Sequence, residues 1–228
     1  MIRIQKLGKT FGDVRALQGV DLSVDRGEVC CLFGTNGSGR STLLRILATL
    51  VRPDEGSVEI AGLDARRHPI SARRHIGYVG PARDVVDDMR VLEYLDFLAG
   101  ARGLRGADRK TAVDQALARS GVGPQSSLRD LSDGSARRLA LAAALLHAPG
   151  VVLIDGPLLH LDPVGQRDLR RWIADARQQG SSVVVAANST DEGLDLWTRG
   201  VVLHRGRLVK VVDPQDGAAG LSDLLAGL

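Results

Sequence analysis

Gly34-Thr35-Asn36-Gly37-Ser38-Gly39-Arg40-Ser41-Thr42 lies between the apolar run Val29 to Phe33 and the helix-like stretch Thr42 to Leu50. The apolar run reads as a strand, and the glycine-rich segment as the turn that carries it into a helix. Glycines at 34, 37 and 39 permit positive-φ turns and close backbone approach. Successive amide hydrogens can therefore point at one anion, and the helix adds its positive N-terminal end. The segment follows the phosphate-binding pattern G-x-x-x-x-G-K-[ST], whose lysine reaches the terminal phosphates of a nucleotide and whose hydroxyl holds magnesium. Arg40 takes the lysine position. It keeps the charge, but its planar fork is bulkier than an ammonium. The nucleotide-binding candidates are Gly34, Asn36, Gly37, Ser38, Gly39, Arg40, Ser41 and Thr42, and Arg40 makes hydrolysis a separate question.

The chain has 228 residues, enough for one large domain or a core with a subdomain, and its 44% hydrophobic content is that of a soluble globular protein. No apolar stretch approaches the about 18 residues of a spanning helix; even Leu139 to Leu146 stops at His147. The opening Met1-Ile2-Arg3-Ile4-Gln5-Lys6 lacks the layout of a secretory signal, so a cytoplasmic location is expected. The net charge of +3 includes basic pairs spread along the chain, such as Arg66-Arg67, Arg73-Arg74, Arg137-Arg138 and Arg170-Arg171. Spread pairs read as solvated faces, and no nucleic acid partner is expected. Cys30 and Cys31 are adjacent in a strand. Their side chains must point to opposite faces, which rules out an ordinary disulfide or a shared metal and leaves both as core residues.

Ile2, Ile4 and Leu7 alternate with polar residues, as does Ala16 to Val24, so the N-terminus reads as antiparallel strands around Phe11-Gly12-Asp13. Phe11 either stacks on a base or caps the edge of the core, and its position favours the core. Pro53 to Ser57 reads as a turn, with Val58-Glu59-Ile60 and Ile76 to Val79 as short strands. From Val91 to His147 the periodicity is helical, with loops at Gly100 to Gly106 and Gly121 to Ser127. Strand texture returns at Val151-Val152-Leu153-Ile154-Asp155, an apolar run that delivers a carboxylate. A helix over Val164 to Gln178, a strand over Ser181 to Ala187, a short helix over Asp191 to Trp197 and a hairpin around Arg205-Gly206-Arg207 follow. The tail from Asp213 to Leu228 reads as a closing helix. The expected fold is α/β: a P-loop NTPase core with a mainly parallel sheet, an antiparallel N-terminal β subdomain and an inserted helical subdomain. In residues, 1–90 and 150–228 form the core with its β subdomain, and 91–149 the helical insertion.

The phosphate turn, the helical insertion, Leu131-Ser132-Asp133-Gly134-Ser135 and the aspartate strand occur in an order that resembles the nucleotide-binding subunit of ABC transporters along almost the full chain. In that family the signature loop Leu-Ser-Gly-Gly-Gln closes over nucleotide held by a second subunit. Leu131, Ser132 and Gly134 match it and Arg138 follows, while Asp133 and Ser135 depart. The resemblance implies that Phe11 stacks on adenine, that Ser41 and Asp155 lie on the magnesium side, and that Leu161-Asp162 links two sites. It also implies ATP and Mg2+ as ligands, and a transmembrane permease and a second ATP-binding subunit as partners. The chain would then sit on the inner face of the membrane, with the loop Pro81 to Arg90 against the membrane subunit. The catalytic positions depart: the expected glutamine falls on Pro81, the glutamate on Gly156 and the switch histidine on Asn188.

Proline and glycine cannot polarise an attacking water as glutamine and glutamate do, whereas the phosphate glycines, Ser41, Thr42 and Asp155 stand. The expectation is nucleotide binding with weak or absent hydrolysis. Asp133 sets a carboxylate where it would face a γ-phosphate, or else caps the signature helix. The retained Ser132 and Gly134 suit an asymmetric dimer in which this chain completes a partner's site. The alternative is a conventional hydrolysing homodimer using Arg40. A soluble repair or translation protein of the same family is disfavoured, since no second phosphate turn, long heptad insertion or zinc-spaced cysteines are present.

Overall fold

The strand that feeds the phosphate turn, β3 (Val29–Phe33), is buried along its whole length. In the computed structural model, which describes residues 1–81, 88–187 and 196–216, it lies inside a six-stranded sheet. Strands Ser182–Ala186 and Arg199–His204 run parallel to it on either side. Numbered along the chain, the sheet holds β3, β6 (Ile76–Val79), β7 (Val151–Asp155), β8 (Ser182–Ala186), β9 (Arg199–His204) and β10 (Arg207–Val212), in the order β10-β9-β3-β8-β7-β6. Only the β9–β10 hairpin is antiparallel. The valine-rich runs of β7 and β8 carry no polar alternation because both their faces are covered. Cys30 points into one core with Leu32 and Val184, and Cys31 into the other with Phe33 and Val185. Burial pushes the Cys30 thiol up to about 12 and raises Cys31 as well. Both are protonated core residues.

A second sheet pairs β1 (Ile2–Phe11), β2 (Val14–Val24), β4 (Glu55–Ile60) and β5 (Leu63–Asp64) in the order β2-β1-β4-β5, all antiparallel. Its apolar face, with Ile2, Ile4, Leu7 and Leu17, packs on the helix after the phosphate turn, α1 (Arg40–Leu47). That helix starts at Arg40 rather than Thr42, because Gly39 in the left-handed region ends the turn. Strand β4 begins at Glu55, inside the expected turn. The two-residue strand β5 and the helix α2 (Pro69–Arg73) were not anticipated.

Helices α3 (Val91–Ala101), α4 (Gly106–Ser120) and α5 (Asp133–Leu145) share a core of Val91, Leu95, Val113, Leu128 and Leu139. Helix α5 carries two apolar faces: Leu139 and Ala142, with the C-cap Leu146, turn into that core, while Leu141 and Ala144 pack on the main sheet. It joins the helical block to the strands. The last long helix, α6 (Pro163–Gln178), is capped by Asp162, whose carboxylate accepts the Gly165 amide at 2.7 Å. Beyond β10 the chain makes a short 3-10 turn at Pro214–Asp216. The rest of the expected closing helix, and most of the expected helix from Asp191, lie outside the described residues.

His147, just past α5, has both ring nitrogens shielded from water. Burial, aided by the Arg102 guanidinium, pulls it from the usual 6.5 to about 4, and a loose approach of the Ile76 backbone only partly offsets this. Above pH 6.5 the imidazole is neutral in both folded and unfolded chains. Below that, the unfolded chain takes up a proton that the folded one refuses until about pH 4. The His147 contribution to stability is therefore expected to fall by about 3 kcal/mol across that window and then level off. Urea unfolding measured across the window should show this component, and His147→Leu should remove it.

Candidate functional site

The turn from Gly34 to Gly39 is closed by the Ser38 amide donating to the Thr35 carbonyl at 3.1 Å, and α1 begins with the Leu43 amide on the Gly39 carbonyl at 2.9 Å. No side chain caps the N-terminus of α1 and no acid sits in its first turn. A helix start with no side-chain cap among the described residues suits an anion. The glycines serve different ends. A Cβ on Gly34 would lie 2.3 Å from the Leu203 carbonyl oxygen, and one on Gly39 2.5 Å from that of Ala16. Gly37 meets nothing, but its φ of +80° demands glycine.

The turn opens onto a cavity of about 620 Å³ whose wall includes Asn36 to Thr42, Pro81, Asp155 and Gly156. Sequence candidates more than a hundred residues apart are thus brought to one place, at the carboxyl ends of β3, β6 and β7. Asp155 is 6% exposed, and its Oδ2 has no hydrogen-bond partner among the described residues; the same holds for the buried Ser38 Oγ. An orphaned carboxylate oxygen beside a hydroxyl-bearing helix start is a donor set that fits a hard divalent cation. Arg40 is buried in the wall and donates to the Ala187 carbonyl at the end of β8. With Arg15 and Arg205 also lining the cavity, cations outnumber carboxylates among the described residues of the wall, and their field favours an anion.

Arg15, Gln18 and Arg205 were missed in the sequence. The hairpin carrying Arg205 is stitched to the turn by the Gly206 amide on the Ser38 carbonyl at 2.9 Å, and to β2 by the Gln18 amide on the Gly206 carbonyl at 2.8 Å. The glycine in that hairpin was the one legible signal: a Cβ there would lie 2.7 Å from the Ala16 oxygen.

Arg137 was also missed. It is buried on α5 and donates to three carbonyls, Gly80 at 2.5 Å, Asp155 at 2.9 Å and Gly156 at 2.6 Å. Burial lowers its pKa, while the Asp155 carboxylate and Tyr78 pull the other way. One side chain thereby fixes the strand ends that carry Pro81 and Gly156. Gly156 itself has φ +64°, with Leu159 Cβ the nearest atom at 3.6 Å to a built Cβ.

Other candidates stand apart. Phe11 is not the core residue its position suggested: the ring is 48% exposed at the tip of the β1–β2 hairpin, with the Lys9 ammonium 5.1 Å from its centre. It does not line the cavity, though Val14, Arg15 and Ala16 across the hairpin do. Ser132 and Gly134 also lie off the cavity wall. Ser132, not Asp133, caps α5, accepting the Ser135 amide at 3.3 Å. Asp133 sits 4.0 Å from His160 Nδ1, and Arg138 3.9 Å from Asp162, so the signature turn packs against the Leu161-Asp162 loop. Asn188 and residues 82–87 of the expected membrane-facing loop lie outside the described residues.

The family described as ABC transporter matches residues 17–159. The sulfate/thiosulfate import ATP-binding protein CysA of Rhodopseudomonas palustris is 35% identical, over 94% of this chain and 64% of that protein. The probable multidrug ABC transporter ATP-binding protein YbhF of Escherichia coli is 30% identical, over 95% of this chain and 38% of its own length. The chain thus spans under two thirds of these relatives. Among solved structures, an ATP-binding subunit of an ABC transporter superposes with a TM-score of 0.89 at 24% identity, covering 100% of this chain and 95% of that one. The dimeric structure of MJ0796, a bacterial ABC transporter cassette, gives 0.86 at 25% identity, covering 93% and 98%.

Proposed function

The chain belongs to the ABC transporter family as an ATP-binding domain, and from that premise we propose that it binds ATP with Mg2+ and hydrolyses it weakly or not at all at its own site. The observation that carries this reading is a single cavity wall in which the glycine turn and the orphaned Asp155 carboxylate meet Pro81 and Gly156. The turn amides and Arg40 would hold the phosphates; Ser41 and Asp155 would hold Mg2+. Bound Mg2+ supplies charge neutralisation between the terminal phosphates. At the described positions where glutamine and glutamate were expected, Pro81 and Gly156 offer no group to orient and deprotonate water, a loss of about 10²–10⁴ in rate.

The chain would act as a nucleotide-binding subunit that docks on a transmembrane permease at the inner face of the membrane and pairs with a second ATP-binding subunit. Among the described residues no helix is long and apolar enough to cross a membrane itself. The exposed Ser132, off this chain's own cavity, supports pairing: beyond its hydrogen bonds to Ser135 it faces outward, where it would close over nucleotide held by another subunit. The relatives' names divide between sulfate import and multidrug transport, so coupling of nucleotide to transport is what carries over, with substrate left to the membrane partner. The second reading is a conventional hydrolysing homodimer, favoured by the cationic charge that Arg40 keeps in the wall. Titration of the purified chain with Mg-ATP, alongside phosphate release, separates the two: binding without turnover supports the first, and turnover that depends on Ser41 and Asp155 the second.

A further inference from the structure

Arg205 differs from the other two arginines that line the nucleotide cavity. Arg40 is buried and donates to the Ala187 carbonyl, and the Arg15 guanidinium lies 3.5 Å from Glu55 Oε2. The exposed Arg205 side chain has no hydrogen bond or ion pair among the described residues; its carbonyl alone is engaged, accepting the Gln18 side-chain amide at 2.9 Å. Arg205 and Gly206 make the two-residue turn between β9 and β10, with φ of +46° and +78°. Two positive φ values in succession favour Asn or Asp before the glycine, and an arginine there is strained. The turn does not call for this side chain. Its backbone is also held without the guanidinium, by the Gly206 amide on the Ser38 carbonyl and the Gln18 amide on the Gly206 carbonyl.

The strand order puts β9 on one side of β3 and β8, β7 and β6 on the other. Asp155, Gly156 and Pro81 therefore border the cavity from the β7–β6 side, and Arg205, with Gln18, from the β9 side. We propose that Arg205 is a nucleotide-binding residue that holds the phosphate nearest the ribose. The inference rests on the nucleotide reading: Mg2+ neutralises the terminal phosphates on the side of Ser41 and Asp155, which leaves the proximal phosphate as the anion in the opposite half of the cavity. A guanidinium there supplies a rigid fork of donors for phosphate oxygens. Val14 and Ala16, which line the same cavity, add apolar surface beside it for the sugar or base.

Calorimetric titration of the purified full chain with Mg-ATP and with Mg-ADP tests this, beside thermal unfolding of the nucleotide-free chain. Arg205→Asn is expected to weaken both nucleotides about tenfold, because both carry the proximal phosphate, while Tm holds or rises as the turn is relieved. Arg207→Gln removes the same charge from the same hairpin, but Arg207 donates to Gln18 Oε1 at 3.1 and 3.3 Å and lies off the cavity wall. It should leave both affinities unchanged. Nucleotide bound as tightly by Arg205→Asn as by the parent would overturn this assignment alone. A loss confined to ATP would move Arg205 to the terminal phosphates, a Tm that falls with affinity would make its role structural, and an equal loss from Arg207→Gln would reduce the effect to overall charge; each overturns it. A parent chain that binds neither nucleotide would overturn the nucleotide reading itself, and this assignment with it.

Discussion

Gly34→Ala is expected to eliminate Mg-ATP binding and to destabilise the fold by about 2–5 kcal/mol. The added methyl would sit 2.3 Å from the Leu203 carbonyl oxygen and 2.6 Å from Ser38 Oγ, with φ at +153°. Leu203 belongs to β9, which is hydrogen-bonded on both sides within the sheet, so it cannot retreat. The turn must move, and with it the amides aimed at phosphate. For a chain of this size the cost corresponds to roughly 5–15 °C in Tm. Gly37→Ala is the control, because nothing lies within 4 Å of its Cβ and only the φ of +80° is strained. It should cost about 1 kcal/mol. Equal effects from the two substitutions, read by thermal unfolding and nucleotide titration, would show that close packing under the turn does not shape the cradle.

Restoring the missing groups together, as Arg40→Lys, Pro81→Gln and Gly156→Glu, is expected to raise phosphate release by about 10²–10⁴. Gly156→Glu alone should recover little. A Cβ there meets nothing closer than Leu159 Cβ at 3.6 Å, but the backbone at 156 has φ +64°, which costs a non-glycine residue about 1–2 kcal/mol. Arg137 holds that corner by its hydrogen bonds to the Asp155 and Gly156 carbonyls, so it resists relaxing. A carboxylate there would also be drawn to the buried guanidinium rather than to water over the cavity. A triple variant that still binds Mg-ATP but turns over no faster than the parent would show that these positions do not account for the loss.

The parallel sheet was legible because β3, β7 and β8 are apolar without alternation, a pattern only a strand covered on both faces tolerates. The phosphate turn was legible because its glycines and hydroxyls are contiguous. Contacts made by tertiary folding left no local trace. Nothing near Arg137 in sequence announces the carbonyls of Gly80 and Gly156, and Arg205 reaches the turn only because the β9–β10 hairpin docks on β2 and Ser38. The five-residue α2 and two-residue β5 are too short to establish a period. Phe11 misled because an aromatic beside a turn is apolar enough for the core, yet the hairpin tip projects beyond it.

The central claim, a cradle that holds nucleotide without consuming it, is tested most directly by incubating the purified chain with saturating Mg-ATP labelled at the terminal phosphate. Bound nucleotide and released phosphate are then followed in the same sample. Stable retention of intact ATP is expected, abolished by Asp155→Asn with Ser41→Ala, with phosphate release no faster than in buffer alone. Sustained release that the same double variant abolishes, or no retained nucleotide at all, would contradict it.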